Sequence, residues 1–363
     1  MNNLDNTIYV NEKAIIGKGL IPYVIAEIGT NHDRNLDKAK YMVREIAKTG
    51  CDCVKFQMYE SNEIVSANVQ CSDYGLDSLY GSISAQEMFD KHLKTPKEWF
   101  PELTNLAHEL GMHCMVTIHG ENGIDWAITH DFDLIKIASM DHTNLPLLMK
   151  MVEKIKVPIL ASFGMAQLED IDLAMEILQK HTYGIAIFYC VAVYPPGPGD
   201  ISLNNISFLA ERYNVQVGFS DHTVSLSLAS GALVSGASMF EKHVTPDKTL
   251  PGPDHPFALE FDELNEYILG LKETFGFLGR KGFQAPSKQE CKNGVNYLKS
   301  MITKRDLLEG EVLKEEDVYL ARPGNGIQPR YFHYVINSKL LKSISAETPV
   351  SWSDIDRSHP LEY

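Results

Sequence analysis

Eight short β-rich runs separated by helix-length segments constrain this chain more than any other feature. The runs fall at residues 23–28, 53–56, 113–118, 134–138, 158–163, 185–191, 215–219 and 239–243. Helix-like segments lie between them, among them residues 36–48, 96–110, 145–154, 168–180 and 225–237. Strands that alternate with helices pair in parallel, and eight of them point to a (β/α)8 TIM barrel. An open doubly wound sheet is the runner-up, but no glycine-rich dinucleotide turn follows the first run. Residues 8–19 read as a small hairpin ahead of the barrel. Residues 59–95 are too long for an ordinary βα connection and follow the second strand, on the rim where lids and oligomer contacts are built.

The chain has 363 residues, 44% hydrophobic and 22% charged, which suits a soluble globular protein with one large barrel and a small appendage. A net charge of -15 argues against nucleic acid or an anionic membrane as partner. It also means that a site for an anionic substrate must gather positive charge locally. Residues 1–7 are polar and acidic, unlike a secretory signal, and no apolar run approaches the ~20 residues needed to cross a bilayer. The six cysteines, several within apolar runs, read as reduced thiols of a cytoplasmic protein. Cys51-Asp52-Cys53 lacks the second pair that a metal motif would need. Composition turns polar over residues 281–296. The chain therefore divides into a barrel with its hairpin (1–285), a linker (286–298) and a compact β-rich tail (299–363).

Two histidines close successive strand runs, in Phe219-Ser220-Asp221-His222-Thr223 and in Phe240-Glu241-Lys242-His243. On a barrel they lie side by side on the carboxyl rim, where chemistry is done, and supply half of a divalent-metal site with open positions. Lys55 and Lys136 also sit at strand ends that are otherwise apolar. A lysine there is costly unless an anion meets it.

Further motifs follow in order. They are Ile25-Ala26-Glu27-Ile28-Gly29-Thr30-Asn31-His32, Val54-Lys55-Phe56-Gln57, Lys136-Ile137-Ala138-Ser139, Ser162-Phe163-Gly164-Met165 and Pro251-Gly252-Pro253-Asp254. Arg322-Pro323-Gly324-Asn325-Gly326 stands in the tail. Together with the two histidine motifs, these resemble the sialic acid synthase (nonulosonate synthase) family over nearly the whole chain. The resemblance implies a barrel followed by an antifreeze-like (SAF) domain. It also implies condensation of phosphoenolpyruvate with an N-acetylated aldose, N-acetylmannosamine or a modified relative, to a nine-carbon 2-keto-3-deoxy sugar acid and phosphate.

Residue by residue, the resemblance implies that Lys55, Thr117, Lys136, Ser139, Ser162 and Ser220 bind phosphoenolpyruvate. His222 and His243 would ligate Mn²⁺ or Mg²⁺, and Glu27 would be the catalytic carboxylate. Gln57, Tyr194 and Asp254 would contact the sugar. Arg322 matches a residue that reaches the sugar of a second subunit, which implies a domain-exchanged homodimer. The plain alternatives are hydroxyls that close strand ends, a Glu27 paired with a nearby lysine, and a loop arginine satisfying carbonyls.

The chain departs from the family pattern at Asp33, Arg34, Met58, Met140, Phe163, Tyr189 and Ala192. We read these as a reshaped aldose pocket suited to a more apolar or deoxygenated sugar. At Ala192 a lost hydrogen-bond donor would cost ~1 kcal/mol of substrate binding. Competing readings are a divalent-metal pyruvate aldolase or lyase on the same barrel and a catalytically impaired sugar-binding paralogue. A carbohydrate- or ice-binding protein built around the tail has no use for Glu27, two lysines and two histidines on one rim.

Overall fold

The structure is a computed structural model and describes residues 6–280 and 282–356. Residues 1–5 of the polar start, Lys281 of the polar segment and the last seven residues of the tail lie outside the described residues. The chain divides into two units, the first ending at Gly279 and the second beginning at Arg280.

In the first unit, eight parallel strands close into a barrel in sequence order. They are β1 (Tyr23–Glu27), β2 (Cys53–Met58), β3 (His113–Ile118) and β4 (Leu134–Ile137). There follow β5 (Ile159–Phe163), β6 (Ile185–Cys190), β7 (Gln216–Asp221) and β8 (Met239–His243). The barrel shuts where β8 pairs with β1, His243 beside Glu27. Helices α1 (Leu36–Lys48), α2 (Phe100–Glu109), α3 (Glu121–Thr129) and α4 (Leu145–Lys154) follow the first four strands. Helices α5 (Leu168–Leu178), α6 (Asn204–Tyr213), α7 (Leu228–Val234) and α8 (Phe261–Phe277) follow the rest.

Local chemistry explains these boundaries. The Asn35 side chain accepts from the Lys38 amide and starts α1, which buries Ala39, Met42, Val43 and Ile46 at helical spacing. Helix α7 is shorter than the expected 225–237, because the Ser225 amide is drawn to the Thr223 hydroxyl in a local turn.

Side chains alternate along every strand. One set, including Val24, Ala26, Val54, Phe56, Val116 and Ile135, faces the helices in the main core. The other fills the barrel: Tyr23, Ile25, Cys53, Met115, Leu134, Leu160, Phe188 and Met239 form one buried cluster. The hairpin of Ile8–Val10 and Lys13–Ile16 adds Ile8, Val10, Ile15 and Ile16 to that cluster. Residues 59–95 form short helical turns with a small core of Cys71, Met88 and Leu93. Bonds from His32 to Thr95 and from Arg34 to the Lys94 carbonyl tie them to the loop after β1.

Residues 286–298, expected as linker, contain a helix, Lys288–Tyr297, none of whose residues is buried. The Ser287 hydroxyl accepts from the Glu290 amide while the Glu290 carboxylate accepts from the Ser287 amide. This capping box stabilises a helix without a core to pack on. The second unit also pairs Ser300–Thr303 antiparallel with Val318–Ala321. Around that pair lie Met301, Leu307, Leu313, Val318, Ile327, Val335, Leu340, Ile344, Val350 and Ile355.

Candidate active site

On most strands the inward residues change from apolar to polar as the strand nears its carboxyl end. Register then decides which polar groups meet. Glu27 lies beside Lys55, Thr117 beside both Gln57 and Lys136, and Ser220 beside both Glu241 and Cys190. All of these side chains except Gln57 are buried or nearly so.

A cation–carboxylate cluster results. Lys55 Nζ lies 3.2 Å from Glu27 Oε2 and 3.2 Å from Glu241 Oε1, and donates to Thr117 Oγ1 at 3.2 Å. Lys136 Nζ donates to Glu241 Oε2 at 2.6 Å and sits 4.3 Å from the centre of the Phe188 ring. The Ser220 hydroxyl donates to Glu241 Oε1 at 3.1 Å. Glu241 is therefore a carboxylate clamped by two ammonium groups. Burial works to raise its carboxyl, but Lys136 and Lys55 hold it far below the usual range.

Burial likewise works to lower Lys55, yet Glu241 and Glu27 outweigh it and leave that lysine raised. Lys136 goes the other way. Burial, aided by Lys55, lowers it to about 8 despite Glu241. Glu27 is raised by burial and by Glu241, with Lys55 in partial opposition.

The Gln57 amide donates to Glu27 Oε1 at 2.8 Å, and the Thr30 hydroxyl donates to Asp254 Oδ2 at 3.1 Å. Gly29, at φ +51°, lies where these groups converge. A Cβ there would come within 3.1 Å of Glu27 Oε1 and 3.2 Å of Asp254 Oδ2. Only a glycine leaves this space open. Ser139 Oγ accepts from the Gly164 amide at 2.9 Å, while the buried Ser162 Oγ has no hydrogen-bond partner.

The His222 and His243 ring centres lie 5.5 Å apart. His222 Nδ1 is 3.0 Å from the Val191 carbonyl, which fixes the proton on Nδ1 and leaves the Nε2 lone pair free. Burial works to lower His222, but Cys190 and that carbonyl leave it raised. Burial, with His222 and Lys55 adding to it, pushes His243 well below its usual value. Its Nδ1 is buried without a hydrogen bond, 3.5 Å from Asp254 Oδ2. Among the described residues no group of three or more His, Cys, Asp or Glu side chains is arranged to hold a metal ion. Tyr194, half exposed, packs its ring 4.4 Å from His222 and 5.3 Å from Phe257.

The first unit thus gathers every expected site residue except Arg322. That residue lies in the second unit, where its Nε donates to the Tyr297 carbonyl at 3.0 Å and its guanidinium covers the Tyr297 ring. Some rim residues escape the sequence reading, among them Glu241 and Cys190. Glu241 stands two positions before His243, and Cys190 Sγ lies 4.0 Å from His222 Nδ1. Strand alternation counted back from His243 puts Glu241 on the inward face, a signal present in the sequence.

The same alternation corrects the reading of a reshaped pocket. Met58, Phe163 and Tyr189 belong to the outer, helix-facing core. Tyr189 accepts from the Ser202 amide there, at 2.8 Å. None of the three lines the inward face. Met140 is largely exposed, and Ala192 is half-buried just beyond β6. Asp33 and Arg34 take left-handed φ angles of 48° and 55° in the loop after β1.

A closed parallel barrel with buried lysines, carboxylates and imidazoles on its carboxyl rim is an enzyme scaffold with a polar, anion-competent site. Residues 42–282 match the NeuB family and residues 299–356 match the SAF domain. The chain is 32% identical to the N,N'-diacetyllegionaminic acid synthase of Legionella pneumophila, over 94% of this chain and 96% of that one. It is 28% identical to the pseudaminic acid synthase of Helicobacter pylori, over 93% and 98% respectively. The crystal structure of N-acetylneuraminic acid (sialic acid) synthetase from Leptospira borgpetersenii superposes with a TM-score of 0.71 at 26% identity. That match covers 80% of this chain and 95% of that one. The chain belongs to the NeuB family and is an enzyme of the nonulosonate synthase class.

Proposed function

We propose that this enzyme condenses phosphoenolpyruvate with an N-acetylated aldose, in a metal-dependent reaction that yields a nine-carbon 2-keto-3-deoxy sugar acid and phosphate. The observation that carries this reading is a pair of buried polar atoms left without hydrogen-bond partners on the rim that holds the lysine–carboxylate cluster: Ser162 Oγ and His243 Nδ1. Buried polar groups are normally satisfied, so orphans gathered at a barrel's carboxyl end speak for a polar substrate. Relatives named as legionaminic and pseudaminic acid synthases support an acylated amino sugar as co-substrate.

Lys55 and Lys136 are the groups suited to hold the phosphate and carboxylate of the enol phosphate, with Thr117, Ser139, Ser162 and Ser220 as neutral partners. Glu241 is the resident counter-ion of both lysines and shares them with the arriving anion. In the reaction, the enol π electrons form the new carbon–carbon bond to the aldehyde carbon, whose oxygen takes up a proton. Water then bonds to C2 and gives up one proton, and the C–O bond to phosphate breaks as the new C2 hydroxyl passes its remaining proton to the leaving phosphate, which leaves the ketone. Glu27, raised by burial and held by Gln57, is suited to carry those protons. Gln57, Tyr194 and Asp254 are the groups suited to contact the sugar.

His222 and His243 fit a divalent ion, Mn²⁺ or Mg²⁺. One free Nε2 lone pair and one unpartnered buried Nδ1 would supply two imidazole donors, and the remaining positions would be open to water and substrate oxygens. Such an ion, when bound, polarises the aldehyde toward attack. Phosphate release from phosphoenolpyruvate with Mn²⁺ should therefore require one aldose and be lost in His222→Ala. The aldoses to compare are N-acetylmannosamine, its 6-phosphate and diacetamido-trideoxy hexoses. A folded, metal-loaded enzyme that releases no phosphate with any of them would refute the reading.

A further inference from the structure

The inward series continue past two strand ends. On β2, Cys53, Lys55 and Gln57 lead to Tyr59; on β3, Met115 and Thr117 lead to His119. Gln57 and Thr117 are register partners, so Tyr59 and His119 stand next to each other one step nearer the rim. Their rings meet edge-on with centroids 5.7 Å apart. Phe89, from residues 59–95, packs edge-on against Tyr59 at the same distance. This cover leaves Tyr59 only 6% exposed and His119 5%.

The Tyr59 hydroxyl nevertheless has no hydrogen-bond partner among the described residues. A buried hydroxyl in that state carries a desolvation penalty which a ligand can relieve. Burial, with Asp254 and Asp90 adding to it, raises the hydroxyl far above its usual value, so it stays protonated and can donate. His119 supplies the complement. Its Nδ1 lies 2.9 Å from Asp141 Oδ2, and a carboxylate there takes the Nδ1 proton. The Nε2 lone pair is left to accept.

We propose that Tyr59 and His119 together bind one hydroxyl group of the aldose, Tyr59 donating to its oxygen and His119 Nε2 accepting its proton. They are specificity-determining residues, and Asp141 is a positioning residue that sets the His119 tautomer. A hydroxyl is the chemistry that fits, because it offers an acceptor and a donor on one atom to two adjacent side chains. A trans amide points its N–H and C=O in opposite directions, so it would satisfy only one of the pair. This inference rests on the synthase reading above.

The test pairs enzyme variants with substrate analogues. The aldose that supports phosphate release is compared with analogues that each lack one hydroxyl, in the unaltered enzyme, Tyr59→Phe and His119→Phe. Both variants keep an aromatic ring in the edge contact. With the unaltered enzyme, one analogue should lose about 100-fold in kcat/KM, as sites built to read a hydroxyl reject its absence strongly. Tyr59→Phe and His119→Phe should each lower kcat/KM for the parent sugar about tenfold. Each should also erase most of the discrimination against that same analogue, while the KM for phosphoenolpyruvate stays within about twofold. Discrimination against every analogue that persists unchanged in both variants would overturn the inference and leave the synthase reading intact. Absence of phosphate release from the unaltered enzyme with any aldose would overturn both.

Discussion

Lys136 shows how one residue's surroundings set the conditions under which the site can work. It is 2% exposed, shares its carboxylate partner with Lys55, and is lowered from its ordinary 10.5 to about 8. Lys55, held by two carboxylates, is raised and keeps its proton throughout that range. The sign for substrate capture follows directly. Below about pH 8 both ammonium groups face the incoming anion, and above it the free enzyme loses the charge on Lys136. We expect kcat/KM for phosphoenolpyruvate to be flat up to about pH 8 and then to fall by up to tenfold per unit. Lys136→Arg, whose guanidinium does not deprotonate, should remove that alkaline limb even if its capture rate is lower at every pH. A flat profile to pH 10 in the unaltered enzyme would remove Lys136 from the anion site. For stability the sign is opposite. The unfolded chain binds the extra proton between about pH 8 and 10.5, so this lysine's burial penalty is full below pH 8 and fades as pH rises through that window.

At the scale of the strand, period-two alternation accounts both for what could be read in advance and for what could not. The eight runs and the two histidines were legible because apolar strand cores and terminal polar residues leave a pattern that needs no neighbour to interpret. Glu241, Cys190, Tyr59 and His119 were equally inward by count, but their meaning depends on cross-strand register, which no single strand encodes. Met58, Phe163 and Tyr189 invert the lesson. As departures from a family pattern they look like pocket changes, yet their parity puts them against the helices. The helix at Lys288–Tyr297 hides for another reason, since a capping box without an apolar stripe resembles a polar connection. Parity also explains Gly218 on β7, between the inward Gln216 and Ser220. A Cβ there would lie 2.3 Å from Met239 Cγ, 2.6 Å from the Met239 carbonyl and 2.8 Å from Phe188 Cδ1. Gly218→Ala should therefore destabilise the barrel by about 1–3 kcal/mol, because the clashing carbonyl belongs to a paired strand and cannot swing away. Chemical denaturation of the variant checks this, and unchanged stability would mean that β7 and β8 are looser than their register implies.

At the scale of the molecule, the question is why the last unit is attached to a barrel that already holds nearly all of the site. Among the described residues the second unit has its own cluster of buried apolar side chains, so it need not be a passive extension of the barrel. Its Arg322 is exposed, with Nε bound to the Tyr297 carbonyl and the guanidinium plane lying over the Tyr297 ring. A chain with a net charge of -15 gains from presenting a cation to an anionic reaction from a second source. We propose that this source is the neighbouring subunit of a homodimer, with Arg322 of each chain completing the sugar site on the other's barrel. Complementation separates this arrangement from one in which each chain serves itself. His222→Ala damages the barrel and Arg322→Ala damages the tail, and each alone should be nearly inactive. When the two variants are unfolded together and refolded as a mixture, half of the dimers are mixed. In each mixed dimer one site joins an intact barrel to an intact Arg322, which restores about a quarter of the unaltered activity if the domains are exchanged. If Arg322 serves its own barrel, every site carries one of the two lesions and the mixture stays inactive. A mixture that remains dead although both variants refold and dimerise would overturn the exchange, whereas an Arg322→Ala variant that is active on its own would return Arg322 to a structural role within its own unit.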